Sequence, residues 1–335
     1  MMSSSSVIVD KIHSTVRIDS PTHVINLSEQ VFKVEMSPFE WSHNLICVAH
    51  SDEIIIGTVK FQEEDEEMED EIEFEVIKSF KIEKRVHSLA WCPETSLNII
   101  PKSIIFACGT ANHIHIYSTN MADKTQMQEL KGHSSYVNSL AYEPSGDLLA
   151  STSDDLTCRI WAVKEGSACV TVFVLKSPGV SVCWHNADPG KLLVAEKSGT
   201  VRLYNVERQQ AILSLDTSLV PLTAADWSPV NCFQVAALAS GHIVIWDITR
   251  SSRPVDVRMV HPNGGSLLRY SQQSEYHIAT VGQPDNSLKV TNVNMKHPVC
   301  NATMTLAGGV TWTYRLPYVC VGRDRSICFW KVSTK

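Results

Sequence analysis

The sequence predicts an all-β chain folded as a seven-bladed β-propeller whose ring is closed by an N-terminal strand. Three observations predict it. Between Gly132 and Trp161, GHSSYVNSLAYEPSGDLLASTSDDLTCRIW, three short runs of strand formers are separated by turn residues: Val137 to Tyr142 before a turn at Pro144, Leu148 to Thr152, and Thr157 to Val163. Alternating runs joined by tight turns make an antiparallel sheet rather than a helix. Second, an aromatic or apolar residue ending the first strand recurs as Met36, Trp91, Tyr142, Trp184, Trp227, Tyr270 and Trp312, at gaps of 55, 51, 42, 43, 43 and 42 residues. Third, the third-strand endings Tyr117, Trp161, Tyr204, Trp246 and Trp330 keep the same spacing. Two registers at one period of about 40 to 45 residues mark a propeller built from repeated small sheets.

The reference unit has the layout of a WD40-type repeat. In such a blade His133 before the first strand, Ser151 in the second, Asp155 in the turn and Trp161 in the third join in one hydrogen-bonded chain. The Asp accepts from the His, and the His and Ser hold the indole N–H, so buried polar groups satisfy one another. These four form a structural tetrad. Ser, His and Asp also suggest a hydrolase triad, but this hydroxyl falls on a buried strand with no nucleophile elbow around it.

In chain order, residues 1–21 read as a flexible tail and residues 22–335 as the propeller. The chain stops five residues after Trp330, so the seventh unit has three strands and lacks a fourth. Thr22 to Ser28, THVINLS, alternates like a strand and is predicted to fill that outer position, with Ser14 to Asp19 as the competing choice. Such closure removes the open sheet edges that an unclosed stack would expose. The first gap is long because it contains residues 63–75, EEDEEMEDEIEFE, read as an exposed acidic loop within blade 1. The second is long because residues around Pro101 and from Met121 to Gln128 read as loops between strands. Signature residues thin out elsewhere: the seventh unit keeps Asp324 and Trp330, the fifth keeps Trp246 and Asp247, and the sixth, ending KVTNV, keeps almost nothing. Degenerate units still fold where the strand alternation survives, because sheets rest on packing and cross-strand pairs.

Composition narrows the function classes. At 335 residues, with 44% apolar and 19% charged, the chain is an ordinary globular one. No run approaches the length of a membrane span, and the start MMSSSSVIVDKIHS lacks the basic and apolar regions of a secretory leader, so an intracellular location is expected. The ten cysteines fit that expectation. Cys47, Cys108, Cys158, Cys169, Cys183, Cys320 and Cys328 lie in apolar strand-like runs, no pair has C-x-x-C spacing, and all read as small reduced core residues. The net charge of −7 is local: the acidic run carries ten acids and no base, and without it the balance is +3. With no basic face and no aromatic-basic interleaving, nucleic acid is not an expected partner.

The search for chemistry predicts no catalytic residue, no cofactor and no metal. There is no phosphate-cradling Gly-rich loop with its Lys, and Pro189-Gly190-Lys191 is a bare turn. His113 and His115 alternate with Ile114 and Ile116 and share one strand face, but no third His or Cys lies at ligand spacing, so they read as solvent-facing polar positions. His185, His242, His261, His277 and His297 each stand alone in a turn. Asn26 and Asn301 head glycosylation-type sequons that carry no information for an intracellular chain. Acid-base catalysis needs carboxylates placed across a cleft, whereas the inner-strand positions are mostly Val, Leu, Ala and Ser. The tryptophans recur at the blade period and read as core.

The finer detail resembles one family. SPGVSVCWH (177–185), VAEKSGTVRLYN (194–205), QQAILSL (209–215), IWDITRSSRP (245–254) and SDDLTCRIW (153–161) are similar to the small WD-repeat nucleoporin of the Y-shaped, outer-ring subcomplex of the nuclear pore. The acidic run after GTVKFQEE also sits where that family has an acidic stretch. The resemblance implies a non-enzymatic scaffold that docks on the long-arm propeller-plus-helical-solenoid nucleoporin and supports pore assembly and transport of RNA and protein. It also implies a place at the nuclear envelope and at kinetochores in mitosis, with no direct nucleic-acid contact and no membrane insertion. Two other classes are weighed against it. A ubiquitin-ligase substrate receptor often carries Trp-Asp-x-Arg, but Arg250 falls one place too late after Trp246-Asp247. A chromatin reader needs an acidic or aromatic pocket at the central channel, and the acidic run is expected at the outer edge of blade 1.

Overall fold

Short alternating segments fold into four-stranded antiparallel sheets, each a blade whose strands run from the ring's centre outward, in chain order in blades 1 to 6. The computed structural model describes residues 19–98, 102–120, 125–164, 166 and 168–333. Strand β1 (His23–Asn26) comes first. Blade 1 is β2 (Lys33–Met36), β3 (Leu45–Ala49), β4 (Glu53–Phe61) and β5 (Ile72–Lys81), and blade 2 is β6 (Ser88–Trp91), β7 (Ile104–Gly109), β8 (His113–Thr119) and β9 (Thr125–Lys131). Blade 3 is β10 (Val137–Tyr142), β11 (Leu148–Ser153), β12 (Thr157–Ala162) and β13 (Ala168–Val174). Blade 4 is β14 (Gly179–Trp184), β15 (Lys191–Glu196), β16 (Thr200–Asn205) and β17 (Gln210–Asp216). Blade 5 is β18 (Leu222–Trp227), β19 (Gln234–Ala239), β20 (His242–Asp247) and β21 (Asp256–Met259). Blade 6 is β22 (Gly265–Tyr270), β23 (His277–Gly282), β24 (Ser287–Asn292) and β25 (Pro298–Thr303). Blade 7 is β26 (Ala307–Trp312), β27 (Tyr318–Arg323) and β28 (Ser326–Lys331), with β1 as its outer strand. The seven aromatic or apolar residues that set the sequence ruler each end an inner strand.

Burial grades outward. The second strands β11, β15 and β19 are buried at every position after their first residue, because both faces are covered by neighbouring blades. The outer strand β13 alternates between exposed and covered positions. The apolar core is divided accordingly into slabs between adjacent blades: Trp91, Phe106 and Tyr117 of blade 2 meet Leu45, Ile54 and Phe80 of blade 1 in one of them. The inner strands of blades 3 to 6 each carry a register shift near their start, between Val137/Ser139, Gly179/Ser181, Leu222/Ala224 and Gly265/Leu267. A bulge at that position increases local twist and suits a strand that turns along the channel wall.

Closure joins residues some 300 apart: His23 pairs with Phe329, Val24 with Cys328, Ile25 with Ile327 and Asn26 with Ser326. His23 is buried and its Nε2 lies 3.1 Å from the Tyr318 hydroxyl. Phe61 of blade 1 stacks on Tyr318 at 4.9 Å between ring centroids and meets Phe329 edge-on at 5.3 Å. The docked segment starts earlier than the expected boundary at residue 22. Asp19 N–H donates to the Asn301 carbonyl of blade 6, and the Trp330 indole donates to the Asp19 carbonyl at 3.2 Å. The competing closure segment, Ser14 to Asp19, lies outside the described residues except for Asp19.

Two expected loops are corrected. The acidic run is turn only as far as Glu71, and Ile72 begins β5, where exposed Glu73 and Glu75 alternate with half-buried Ile72 and Phe74. Like charges on one face of a strand remain solvated, while the apolar residues on the other face pack, so composition alone hid the alternation. Within Met121 to Gln128, residues 121–124 lie outside the described set, and Thr125 already begins β9. The region around Pro101 is likewise outside it at residues 99–101.

Removing residues 1–28 deletes β1, uncovers β28 and frees the Trp330 indole. Lost burial at Ile25 and lost pairing are worth about 3 kcal/mol. At about 2–4 °C per kcal/mol, the midpoint of calorimetric melting is expected to fall by roughly 6–12 °C. An unchanged melting curve would show that β1 does not hold the ring.

Candidate functional site

The inner strands are sewn to one another around the channel. A side chain on one inner strand accepts a backbone N–H from the next: Ser139 from Val182 at 3.2 Å, Ser181 from Ala225 at 3.0 Å, Asp226 from Tyr270 at 2.9 Å, and Thr311 from Met36 across the closure at 3.3 Å. Indoles at the strand ends reach back to the preceding blade, Trp91 to the Glu35 carbonyl at 3.0 Å, Trp184 to Ala141 at 2.9 Å and Trp312 to Arg269 at 3.1 Å. Half-buried polar groups thus find partners in a place where solvent is scarce.

These aromatic ends line a cavity of about 510 Å³ at one mouth of the channel, with Glu35, Asp226 and Arg269 among its walls. The expected apolar inner lining is therefore incomplete. Burial pushes the carboxyl groups of Glu35 and Asp226 up, and the Arg269 guanidinium pulls both back toward ionisation. Burial also opposes the charge on Arg269, but the two carboxylates outweigh it and hold the guanidinium protonated. Lys33 is depressed by burial and then by Arg269. At the rim, Phe39 and Trp41 stack at 5.3 Å, the Trp41 indole donates to the Pro93 carbonyl at 2.9 Å, and 46% of Trp41 remains exposed. A concave aromatic mouth with a few convergent charges has the shape and chemistry in which binding sites are commonly built.

In blade 3 the structure brings His133, Ser151, Asp155 and Trp161 together. His133 Nδ1 lies 2.8 Å from Asp155 Oδ2, its Nε2 lies 2.7 Å from Ser151 Oγ, and the Trp161 indole donates to that hydroxyl at 2.8 Å. Asp155 also accepts from the Ser134 and Thr157 backbone, so it fixes the turn as well as the imidazole. Burial depresses His133, although Asp155 opposes the shift. The Ser151 hydroxyl is fully enclosed and holds the indole N–H, which makes it an acceptor for an indole rather than a nucleophile.

Blade 6 corrects the reading that it keeps almost nothing. His261 is fully buried, with Nε2 2.9 Å from Thr280 Oγ1 and Nδ1 3.2 Å from Ser287 Oγ, and Ser287 donates to Asp285 at 2.9 Å. Thr280 holds the position of Ser151 in its strand and Thr291 holds that of Trp161. The network survives without its tryptophan, and an Asp shifted by one place reaches the His through a Ser. Blade 5 is the complement: it keeps Trp246, but Ala237 stands where Ser151 does, and among the described residues the buried indole N–H has no partner. Nor is His185 a lone turn residue: it is buried, accepts from the Ala187 and Asp188 backbone and meets Trp227 edge-on at 4.7 Å. His277 is also buried, whereas His242 and His297 are partly or fully exposed turn-side residues.

His113 and His115 share one face of β8, but they are partly buried, and Glu129 of β9 lies against both. Sequence spacing missed this carboxylate because it arrives from the neighbouring strand, directly opposite His115. The acidic run is anchored at one end, where Glu63 accepts from the Tyr318 hydroxyl at 2.6 Å and from Lys331 at 3.1 Å.

The fold and its polar stitching define a WD-repeat β-propeller, and the family described as "WD domain, G-beta repeat" matches residues 124–162. The similarity then extends over almost the whole chain. It is 39% identical to Nucleoporin Nup37 of Mus musculus and to that of Homo sapiens, over 92% of this chain and 96% of each relative. With the Drosophila melanogaster Nucleoporin Nup37 it shares 36% identity over 94% of this chain and 98% of the relative. The chain belongs to the Nup37 family of nucleoporins.

Replacing Ser151 by Ala leaves the Trp161 N–H without its acceptor and His133 Nε2 without the hydroxyl that donates to it. An unsatisfied buried donor costs about 1–3 kcal/mol, and chemical denaturation is expected to show a loss of that size with no change in the m-value. A neutral effect would mean that the tetrad does not stabilise blade 3.

Burial, and then Lys289, lower His261 from 6.5 to about 4. A folded-state pKa below the unfolded one means that the unfolded chain binds the proton first. This contribution is therefore complete above pH 6.5 and is lost as the pH falls toward 4, about 3 kcal/mol in all. H261Q removes that component, so its melting temperature is expected to drop less than the parent's between pH 7 and pH 4.5. Parallel pH profiles would refute the assignment.

Proposed function

We propose that this protein is a non-enzymatic scaffold subunit of the Y-shaped subcomplex of the nuclear pore. It docks on the long-arm propeller-plus-solenoid nucleoporin, contributes to the outer ring through which RNA and protein cargo pass, and follows the subcomplex to kinetochores in mitosis. The observation that carries this reading is end-to-end similarity to nucleoporins from three animals at 36–39% identity. A rigid ring whose polar groups are spent on stitching its own blades supports it, because such a body presents surfaces rather than chemistry. Neither a ligase receptor nor a chromatin reader gains comparable support. The match to WD repeat and HMG-box DNA-binding protein 1 of Mus musculus covers 48% of this chain and only 15% of that relative.

Tagged full-length protein purified from gently lysed interphase cells is expected to bring down the Y-subcomplex nucleoporins in near-equal amounts. Recovery of a ligase adaptor or of histones without nucleoporins overturns the reading. The channel mouth is the docking surface in this reading, with the exposed Trp41 as its anchor. Aromatic anchors at interface centres carry about 2 kcal/mol or more, so W41A is expected to weaken binding to the solenoid subunit roughly thirtyfold. Unchanged affinity with the Y subcomplex still recovered would move the docking surface away from this mouth.

A further inference from the structure

We propose that His113, His115 and Glu129 form a binding site for one divalent transition-metal ion, zinc above all, on the outer half of blade 2. The three donor atoms lie within 4.8 Å of one another among the described residues. His115 Nε2 is 3.6 Å from Glu129 Oε1, and His113 Nδ1 is in direct hydrogen-bond contact with the same oxygen. Ligands at the usual zinc distances of about 2.0–2.1 Å in a tetrahedron stand about 3.3 Å apart, so side-chain rotation alone draws this trio onto an ion.

The backbone makes the arrangement. Residues i and i+2 of a strand project on one face, and β9 pairs with β8 so that Glu129 faces His115 while Lys131 faces His113. Two ligands thus come from one strand and the third from its neighbour, on a sheet that holds their spacing. The side chains are 28%, 19% and 29% exposed for His113, His115 and Glu129, a depth that leaves them reachable and partly shielded. Two imidazoles and one carboxylate suit zinc and its late first-row neighbours better than magnesium or calcium, which prefer oxygen alone.

One cation touches the trio. Lys131 Nζ sits 2.9 Å from Glu129 Oε2 and pairs with that oxygen. The second carboxylate oxygen is therefore occupied and the first is the metal ligand. Three protein ligands leave a fourth position for water or for a side chain of a bound partner. An ion here clamps the outermost strand β9 to β8.

The test uses the full chain, stripped with chelator and exchanged into metal-free buffer. Zinc chloride titrated calorimetrically is expected to bind one equivalent at micromolar concentrations. At a hundredfold excess over Kd it is expected to raise the melting temperature by about 3 °C or more. Cobalt is expected to give the visible d–d absorption of a four-coordinate site. H115Q and E129Q are each expected to weaken zinc at least about tenfold, the least that disturbing a metal's ligand sphere costs, with metal-free melting near that of the parent. K131A is expected to tighten zinc about two- to fivefold, the worth of the exposed ion pair it releases. H297Q, at an exposed histidine elsewhere, is expected to change nothing. Absence of stoichiometric zinc binding, or binding indifferent to both H115Q and E129Q, overturns the site.

Discussion

Everything in this molecule depends on one short antiparallel pairing, that of β1 with β28. Each blade buries its faces only because another blade stands on either side, and the core consists of slabs between blades rather than a single centre. A stack of seven sheets with open ends would split one such slab and leave both of its faces bare to water. The four residues His23 to Asn26 remove both ends at once. Around the seam the chain concentrates aromatic contacts and cross-links, with Phe61, Tyr318 and Phe329 packed together and Trp330 tied to Asp19. Closing so long a loop costs entropy that grows only slowly with its length, so a modest local interface suffices once every other blade is in place.

With the ring closed, individual blades gain freedom to drift from the signature. Blade 3 holds the complete His, Ser, Asp and Trp network, blade 5 retains the tryptophan without an acceptor, and blade 6 retains the acceptors without the tryptophan. Blades 3 to 6 are joined through inner-strand stitching, as blade 7 is to blade 1, where a hydroxyl or carboxylate of one blade caps an N–H of the next. That device links neighbours, whereas the tetrad acts within a blade. Loss of a tetrad member therefore weakens one sheet against its own unfolding and leaves the ring geometry intact.

The features legible in sequence were those written in a local period. Aromatic spacing located every inner strand to its last residue, because that residue faces the adjacent blade in each repeat and is constrained to be large. The closing strand was legible because the last unit lacked a partner and THVINLS alternated. Features made by convergence were not. Glu35, Asp226 and Arg269 are far apart in the chain and meet only across the channel. Glu129 joins the two histidines through strand pairing. His261 was hidden because its tryptophan is replaced by Thr291 and its acid lies one place further on, reached through Ser287.

The outer strands show how the same geometry serves opposite ends. In β5 the exposed positions Glu73 and Glu75 carry like charge, continuing the acidic turn, and a second chain that added itself to this edge would bring its own strand against that charge. The edge is thereby kept unpaired although the backbone groups are available. In β13 the exposed positions are Ala168, Val170, Val172 and Val174, the last of them 80% exposed, with no charge among them. Both strands are outermost, both alternate and both leave one backbone edge unpaired within their sheet. Their difference lies wholly in the outward side chains, which the core does not constrain. Selection on those positions therefore acts on the surface the ring presents rather than on how it folds.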